Sequence, residues 1–321
     1  MSTVLITGAT GFLGRALSSH LVAQGINVRG TLLQSDSPFM LVSGVEPAVI
    51  EPLGADNNWS KVLKSVETVF HLAARVHVVC ETARNPLAEF RRTNTDGTLN
   101  LARQAEDAGV KRFVFMSTIG VNGDNSGDRV YNADDIPQPH NPYSVSKYEA
   151  ELGLNKLALA AEMKFVVVRA PLVYGPENPA NFFALLNIIS KGIPLPLASI
   201  CNKRSFIYVS NLVDALEVCA THPKAAGQLF LISDGDDVST PELIRRTASA
   251  LGIPNRLFPF PVTLMRLAGK LIGKSGAVNS LTGSLTVDSS KIREELGWSP
   301  PFSMDYALKE TAEWFARQVK E

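Results

Sequence analysis

The stretch Thr7-Gly8-Ala9-Thr10-Gly11-Phe12-Leu13-Gly14 places three glycines at intervals of three residues. It follows the apolar run Thr3–Ile6 and leads into the amphipathic run Phe12–Gln24, so the sequence predicts a strand, a tight turn and a helix. Glycines let a turn approach a pyrophosphate closely, and the first N–H groups of a helix attract negative charge. Turn glycines alone would be weak evidence, but this position between strand and helix indicates a dinucleotide-binding loop.

Short apolar runs alternate with amphipathic stretches from this loop to about residue 170. Strand and helix in regular alternation predict a parallel sheet with helices on both faces, the Rossmann-like doubly wound α/β class. We also expect a short helical piece near Trp59. The other predicted strands are Asn27–Leu33, Val69–Leu72, Arg112–Ser117 and Lys164–Val168, and the other predicted helices are Thr93–Ala108 and Pro142–Glu162.

The pattern changes after Arg169, where proline and glycine become frequent. We therefore predict a dinucleotide-binding domain over 1–170 and a smaller mixed α/β lobe over 171–321 that mainly binds substrate. Part of 204–221 is expected to return to the first domain. Helices are predicted in this lobe near Ala180–Lys191, Asn211–Thr221, Thr240–Leu251, Val262–Ile272 and Met304–Lys320.

Composition excludes several classes of protein. The 321 residues are 45% hydrophobic and carry 31 basic and 31 acidic side chains, which indicates a large core and no nucleic-acid partner. No apolar run is long enough to span a membrane, so no membrane partner is expected. The N-terminus lacks a basic stretch typical of a signal peptide, and Cys80, Cys201 and Cys219 suggest neither a disulfide framework nor a metal site. A cytoplasmic location fits these features.

Tyr143 and Lys147 are four residues apart at the start of a predicted helix, so they share one face. A lysine ammonium beside the phenol is expected to lower the tyrosine pKa and make a base for a sugar hydroxyl. On spacing alone, a surface tyrosine and a solvated lysine would be the commoner case. Ser117 and Thr118 strengthen the functional interpretation, because they end a predicted strand where such sheets place their active sites. Thr118 is predicted to donate a hydrogen bond to the reacting oxygen.

Further segments complete one family pattern in their order along the chain. They are His71–Ala74, Asn94–Thr98, Arg169, Val173–Pro176 and Leu296–Trp298, in addition to the Gly8–Gly14 loop, Ser117–Thr118 and the Tyr143/Lys147 pair. Together they resemble the extended short-chain dehydrogenase/reductase superfamily in its nucleotide-sugar epimerase/dehydratase branch. The resemblance covers nearly the whole chain.

The resemblance implies a catalytic triad of Thr118, Tyr143 and Lys147. It also implies that NAD or NADP contacts a set of residues at the carboxyl ends of the strands. These are Gly8, Thr10, Gly11, Phe12, Leu13, Gly14, Leu53, Leu72, Ala73, Ala74, Asn94, Ser117, Tyr143, Lys147, Ala170 and Val173.

The choice between the two nicotinamide cofactors stays open. A carboxylate at the end of the second strand would bind the free ribose of NAD, whereas an arginine would bind the 2′-phosphate of NADP. The segment Thr31–Ser35 contains neither, although Arg29 is close. The missing carboxylate slightly favours NADP.

For the substrate, the resemblance implies a UDP-sugar. Arg204, in the segment Arg204–Leu212, matches the arginine that clamps the diphosphate, and Asn181 matches a diphosphate contact. Leu195 lies in a segment that resembles the loop packed on the uracil ring. His77 is predicted to face the sugar, although a solvent-exposed loop position fits it equally well. A second clamp arginine, common in the family before the late aspartate, is absent from 283–288.

The residues after Thr118 restrict the reaction. Sugar 4,6-dehydratases of this family carry Asp-Glu there, but this chain has Ile119 and Gly120, so elimination lacks its acid and base. We favour a 4-ketoreductase that reduces a UDP-4-keto-6-deoxy-N-acetylhexosamine in bacterial surface-polysaccharide synthesis. The alternative is a UDP-sugar 4-epimerase with tightly bound NAD, and a non-catalytic NADP-sensing regulator is a remote third. The resemblance also implies a homodimer through helices near Asn94–Ala108 and Pro142–Glu162.

Overall fold

Seven parallel strands form the main sheet in a computed structural model that describes residues 3–76, 84–178 and 181–318. The strands of the described chain are β1 (Thr3–Thr7), β2 (Asn27–Leu33), β3 (Glu46–Ile50), β4 (Val66–His71), β5 (Arg112–Thr118), β6 (Lys164–Ala170), β7 (Leu172–Tyr174), β8 (Phe206–Tyr208) and β9 (Leu229–Leu231). Their order in the main sheet is β3-β2-β1-β4-β5-β6-β9, and β7 and β8 form a separate parallel pair. The order reverses between β1 and β4, which is where an open α/β sheet binds its ligand.

Helices cover both faces of this sheet. They are α1 (Phe12–Ala23), α2 (Pro86–Phe90), α3 (Gly97–Asp107), α4 (Pro142–Ala158), α5 (Asn181–Ser190), α6 (Val209–Thr221), α7 (Thr240–Ala250), α8 (Val262–Leu271), α9 (Ser275–Thr282), α10 (Ser290–Leu296) and α11 (Met304–Gln318). A π-helical segment, Arg91–Asp96, joins α2 to α3. The doubly wound Rossmann-like architecture is therefore confirmed.

Neighbouring residues of each strand point into opposite cores, as the pleat requires. Leu5 of β1 belongs to a buried cluster with Leu101 of α3 and Leu154 of α4. Ile6, the next residue, belongs to the cluster on the other face, which α1 and α6 cover and which includes Leu216. Helix α6 thus packs on the main sheet although it follows β8 in the chain.

A third core lies under the small β7–β8 pair. Tyr174 and Tyr208 from these strands pack with Phe182 of α5 and with Met304 and Leu308 of α11. The division of function between 1–170 and 171–321 stays a prediction. No helix within 3–76, 84–178 and 181–318 is both long and apolar enough to cross a membrane.

Two predicted helices differ from the structure. Near Trp59 the chain forms turns instead of a helix, and the Trp59 backbone N–H donates to the Gln104 side chain at 2.8 Å. Helix α4 ends at Ala158 instead of Glu162. There the carboxylate of Glu106 accepts the backbone N–H groups of Glu162 and Met163, which replaces helical hydrogen bonding.

Candidate active site

The glycine loop leaves a shallow cradle at the carboxyl end of β1. Gly8 has φ +71°, and a Cβ there would lie 3.0 Å from the backbone of Ala73. A Cβ on Gly14 would lie 2.0 Å from the Gly8 carbonyl oxygen. Gly11 caps α1 without a side-chain hydrogen bond, so the first N–H groups of that helix face no capping side chain. The loop therefore fits a diphosphate, and a dinucleotide is the group these residues suit.

A groove of about 790 Å³ opens beyond this cradle, at the carboxyl ends of β2 and β3. Leu53, the residue predicted beside the adenine, is buried and lines the groove. The carboxylates of Glu51 and Asp56 line it too, together with one cation, Arg92. The titratable residues that line the groove thus carry no net positive charge, and a phosphate would meet no surplus of cations there.

Arg29 lies near the amino end of β2, where its guanidinium is bound by protein groups. Its guanidinium donates to the carbonyl oxygens of Val62 and Lys64 at 2.7 and 2.9 Å and to Glu46 at 3.0 Å. The arginine nearest to the expected 2′-phosphate position in the sequence is thus held by protein groups.

His71 links the glycine loop to the π-helical segment. Its Nδ1 lies 2.7 Å from the Thr7 hydroxyl, and its Nε2 lies 2.8 Å from the Thr98 hydroxyl. The Thr98 hydroxyl donates to the Asn94 carbonyl, so it accepts a hydrogen bond from Nε2–H of His71. The Thr7 hydroxyl accepts from the Ala73 N–H and donates its own proton to Nδ1 of His71. Burial lowers the His71 pKa to about 3, so the imidazole is neutral, as this hydrogen-bond chain requires.

The π-helical segment braces the start of α4. Asn94 is 1% exposed, donates to the Ser146 hydroxyl at 3.0 Å, and exchanges two hydrogen bonds with the Arg75 backbone. Thr95 donates to the Ser146 carbonyl at 2.9 Å, and the Ser146 hydroxyl donates to the Tyr143 carbonyl at 2.7 Å. The predicted cofactor residue Asn94 therefore has its side chain committed to protein partners. These bonds hold Ser146 between the two catalytic candidates.

The first turn of α4 places Tyr143. Asn141 accepts the Ser144 N–H at 2.8 Å, the Ser144 hydroxyl closes the capping box, and Pro142 occupies the first helical position. Tyr143 thus lies in the first turn, where the helix dipole favours a negative phenolate. Lys147 follows one turn later, as the spacing predicted.

The charges of this pair differ from the sequence-based expectation. Burial raises the Tyr143 pKa to about 12. Burial also lowers the Lys147 pKa to about 7, against an opposing effect of Glu151. Lys147 is 1% exposed, and its Nζ lies 4.2 Å from the centre of the Phe115 ring. The expected lowering of the tyrosine pKa by the lysine is therefore wrong for the protein without cofactor, because burial disfavours both charged forms.

Thr118, at the end of β5, has one lone pair of its hydroxyl already occupied. The Gly120 N–H donates to Thr118 Oγ1 at 3.1 Å, which leaves the hydroxyl proton free to donate elsewhere. This arrangement matches the predicted role of a donor to the reacting oxygen. Ile119 is buried directly behind it, so neither following residue supplies an acid or a base.

Behind this strand lies a buried ion pair that sequence reasoning did not assign. Arg169 binds both carboxylate oxygens of Glu151, at 3.0 and 2.5 Å, and both side chains are 3% exposed. Ser117 donates to the same carboxylate, so its hydroxyl contacts Glu151. Asn122 accepts from Arg169 at 2.8 Å, so the guanidinium has a further buried partner beside Glu151. The only sequence signal for Glu151 is its spacing of four residues after Lys147.

The other predicted cofactor contacts lie at the same edge of the sheet. Thr10, Phe12 and Leu13 belong to the glycine loop and the start of α1. Leu72, Ala73 and Ala74 follow β4 directly, Ala170 ends β6, and Val173 lies in β7. Their contacts with a cofactor stay predictions.

The predicted substrate residues belong to separate segments of the chain. Arg204 is half-buried and donates to the carbonyls of Ser280 and Gly283 at 2.9 and 3.3 Å, beside the end of α9. Leu195 pairs through its backbone with Leu257 and packs against the cluster of Ile189. His77 lies outside the described residues, as does the side chain of Asn181, whose backbone opens α5.

Comparison with known proteins identifies the family. The NAD-dependent epimerase/dehydratase family matches residues 4–233. UDP-glucose 4-epimerase of Vibrio cholerae is 43% identical over 98% of this chain and 95% of its own length. Among solved structures, UDP-glucose 4-epimerase of Thermotoga maritima with UDP-glucose is 26% identical, with a TM-score of 0.78 over 99% of both chains. MoeE5 in complex with UDP-glucose and NAD is 28% identical, with a TM-score of 0.78 over 99% of this chain and 100% of its own.

These matches agree with the parallel sheet and flanking helices described above. The chain belongs to the NAD-dependent epimerase/dehydratase family and is an NAD-dependent enzyme of its nucleotide-sugar class.

Proposed function

We propose that this chain is a UDP-sugar 4-epimerase that retains NAD and interconverts UDP-glucose and UDP-galactose or their N-acetyl forms. The observation that carries the proposal is the extent of its identity with the Vibrio cholerae UDP-glucose 4-epimerase, which covers nearly all of both chains. The preference for a 4-ketoreductase rested on the missing ribose carboxylate. The acidic residues Glu51 and Asp56 in the groove and the engaged Arg29 weaken that argument, and the epimerase alternative is now favoured.

The residues at the carboxyl edge of the sheet suit removal of hydrogen from a secondary alcohol. When bound, NAD supplies the acceptor for the hydride that leaves C4. Tyr143 takes the proton of the C4 hydroxyl, and the free proton of Thr118 donates a hydrogen bond to the same oxygen. Lys147 provides a nearby cation once its charge is stabilised, which lowers the cost of the phenolate. The reverse transfer on the other face of the sugar completes epimerisation with the same side chains.

On the substrate side, we propose that Arg204 binds the diphosphate of the UDP group. Its bonds to the Ser280 and Gly283 carbonyls hold the guanidinium in place before substrate arrives. Burial lowers its pKa, and a diphosphate offers the opposite charge that stabilises the buried cation.

The first experiment is to denature the purified protein and identify the released nucleotide by mass and absorbance. We expect near-stoichiometric NAD. The same preparation should then interconvert UDP-glucose and UDP-galactose, or the N-acetyl pair, without added cofactor. A Tyr143→Phe variant serves as the control, because it should retain NAD and lose turnover.

Two results would contradict the proposal. A protein that carries no nucleotide and oxidises added NADPH with a UDP-4-keto-6-deoxy sugar would be a 4-ketoreductase. Full activity in the Tyr143→Phe variant would remove the assigned base.

We also propose a homodimer through α3 and α4, which lie side by side on one face of the sheet. Gly153 of α4 allows a close approach to α3, because a Cβ there would lie 2.5 Å from Leu99. Leu152 and Leu159 of α4 are exposed in the single chain. Light scattering after size exclusion measures the mass, and a monomer that stays fully active would contradict this assembly.

A further inference from the structure

The hairpin of α8 and α9, referred to below as the α8–α9 hairpin, presents its apolar side chains outward. Leu264, Leu267 and Leu271 are spaced by three and four residues, so they share one face of α8. They are 49%, 55% and 78% exposed, and Ile272 follows at 70%. A helix of a globular protein normally buries such a stripe. The stripe therefore lacks an intramolecular partner among the described residues.

Packing within the α8–α9 hairpin fixes this orientation. Gly269 is buried, and a Cβ there would lie 2.6 Å from Val278 of α9. The Lys274 N–H donates to the Gly269 carbonyl at 2.7 Å and closes the turn between the helices. Since α9 occupies the glycine side of α8, the leucines must face away from it.

Charge is distributed unevenly around this stripe. Residues 247–287 contain Arg256, Arg266, Lys270 and Lys274 but neither aspartate nor glutamate, although the whole chain has equal numbers of acids and bases. Arg266 and Lys270 are four residues apart on α8 beside the leucines. No carboxylate in the described part of the chain forms an ion pair with any of these four cations. An apolar stripe flanked only by cations is the pattern of helices that lie in the interface of an anionic bilayer.

We propose that the α8–α9 hairpin docks the enzyme on the surface of a bilayer that contains anionic lipid. The leucines enter the headgroup layer, and Arg266, Lys270 and Lys274 contact lipid phosphates. Helix α8 has ten residues, too few to cross the hydrocarbon core, so the hairpin lies on the membrane. The sequence-based expectation of no membrane partner rested only on the lack of a segment long enough to span a bilayer. Surface docking differs from that expectation because it needs no such segment. A second copy fits the surface less well, because two such faces would bring like charges together.

The α8–α9 hairpin is also joined to the proposed substrate site. Arg204 donates to carbonyls at the end of α9 and just beyond it. Docking would thus place the sugar-diphosphate site beside the membrane surface. Only this link rests on the proposed function, whereas binding to lipid does not.

Vesicle co-sedimentation of the full chain tests the proposal. We expect binding to phosphatidylcholine vesicles with about 30% phosphatidylglycerol, little binding to phosphatidylcholine alone, and release at about 0.5 M salt. Each cation near an anionic surface contributes about fivefold to binding, so Arg266→Ala with Lys270→Ala should weaken it roughly 25-fold. Leu267→Ser with Leu271→Ser should weaken it at least about fivefold.

The matched control is Ile136→Ser, which removes an 82% exposed isoleucine in the loop before α4 and should leave lipid binding unchanged. All variants should show the cooperative thermal unfolding of the parent protein, which shows that they fold. Equal vesicle binding by parent and variants, or none by the parent, would overturn the proposal. A smaller solution mass for the leucine variant would also overturn it, since the stripe would then bind a second copy.

Discussion

Replacing Lys147 by methionine should stabilise the protein without cofactor while it abolishes turnover. The Lys147 pKa falls from 10.5 to about 7 on folding, mainly because burial penalises the ammonium. The unfolded chain therefore binds the proton more tightly than the folded protein between these values, and stability rises with pH across this range. The penalty is fully present below pH 7. At pH 7 the two pKa values correspond to at most about 4 kcal/mol relative to a neutral side chain of similar shape.

The assay is thermal unfolding of nucleotide-free protein from pH 6 to pH 10 (values spanning the range in which the lysine titrates). For a chain of this size, about 4 kcal/mol corresponds to roughly 8 °C in Tm. Lys147→Met should melt higher at neutral pH, and its Tm should lack the rise that the parent shows as pH increases above about 7. Lys156→Met is the matched control, because it removes an exposed lysine from the same helix.

An unchanged or lower Tm in Lys147→Met, with the same pH dependence as the parent, would refute this reasoning. It would mean that the ammonium finds enough solvation in the folded protein to keep its ordinary charge. The argument for a cofactor-dependent charge on Lys147 would then fail as well.

Three further changes test other parts of the site. Glu151→Gln removes the charge that Arg169 binds, and urea unfolding should show a loss of roughly 3–5 kcal/mol; an unchanged midpoint would show that the pair is dispensable. Gly14→Ala should reduce the NAD content of the purified protein, measured by absorbance after denaturation, because its Cβ would overlap the Gly8 carbonyl; full occupancy would argue against the cradle. Thr118→Val should lower kcat by roughly 10²–10³-fold with little change in KM, and a change in KM alone would assign Thr118 to binding.

Local motifs were sufficient to predict the parts of the site that depend on neighbouring residues. The glycine loop was recognisable because Gly8 needs a left-handed backbone and Gly14 needs a missing side chain, and both requirements are visible in the residue type. The Tyr143 and Lys147 pair was recognisable because helical spacing places them one turn apart and because Ser117 and Thr118 end a strand where such sheets place their active sites. The parallel sheet followed from buried apolar runs that alternate with amphipathic ones.

Contacts between distant segments were not predictable in the same way. The bond between Asn122 and Arg169 joins residues 47 positions apart, and nothing near Asn122 in the sequence points to it. The bond from Thr95 of the π-helical segment to Ser146 joins residues 51 positions apart, and no residue type in that segment specifies it. The shift of the Tyr143 pKa was predicted in the wrong direction. The spacing of Tyr143 and Lys147 shows that a charged group is near the phenol, but it does not show that burial removes water from both groups.

The reaction itself is the property least determined by the catalytic side chains. A reductase and an epimerase both need a proton acceptor at Tyr143 and a donor at Thr118, so these residues cannot separate them. The distinction depends on whether NAD stays bound between half-reactions, which is a property of the whole cofactor groove. In this chain two acidic residues, Glu51 and Asp56, line the groove beside a single arginine, Arg92, and Arg29 is engaged elsewhere. The groove thus contributes an argument for NAD over NADP that is independent of sequence identity, and the nucleotide released on denaturation tests whether the cofactor is retained.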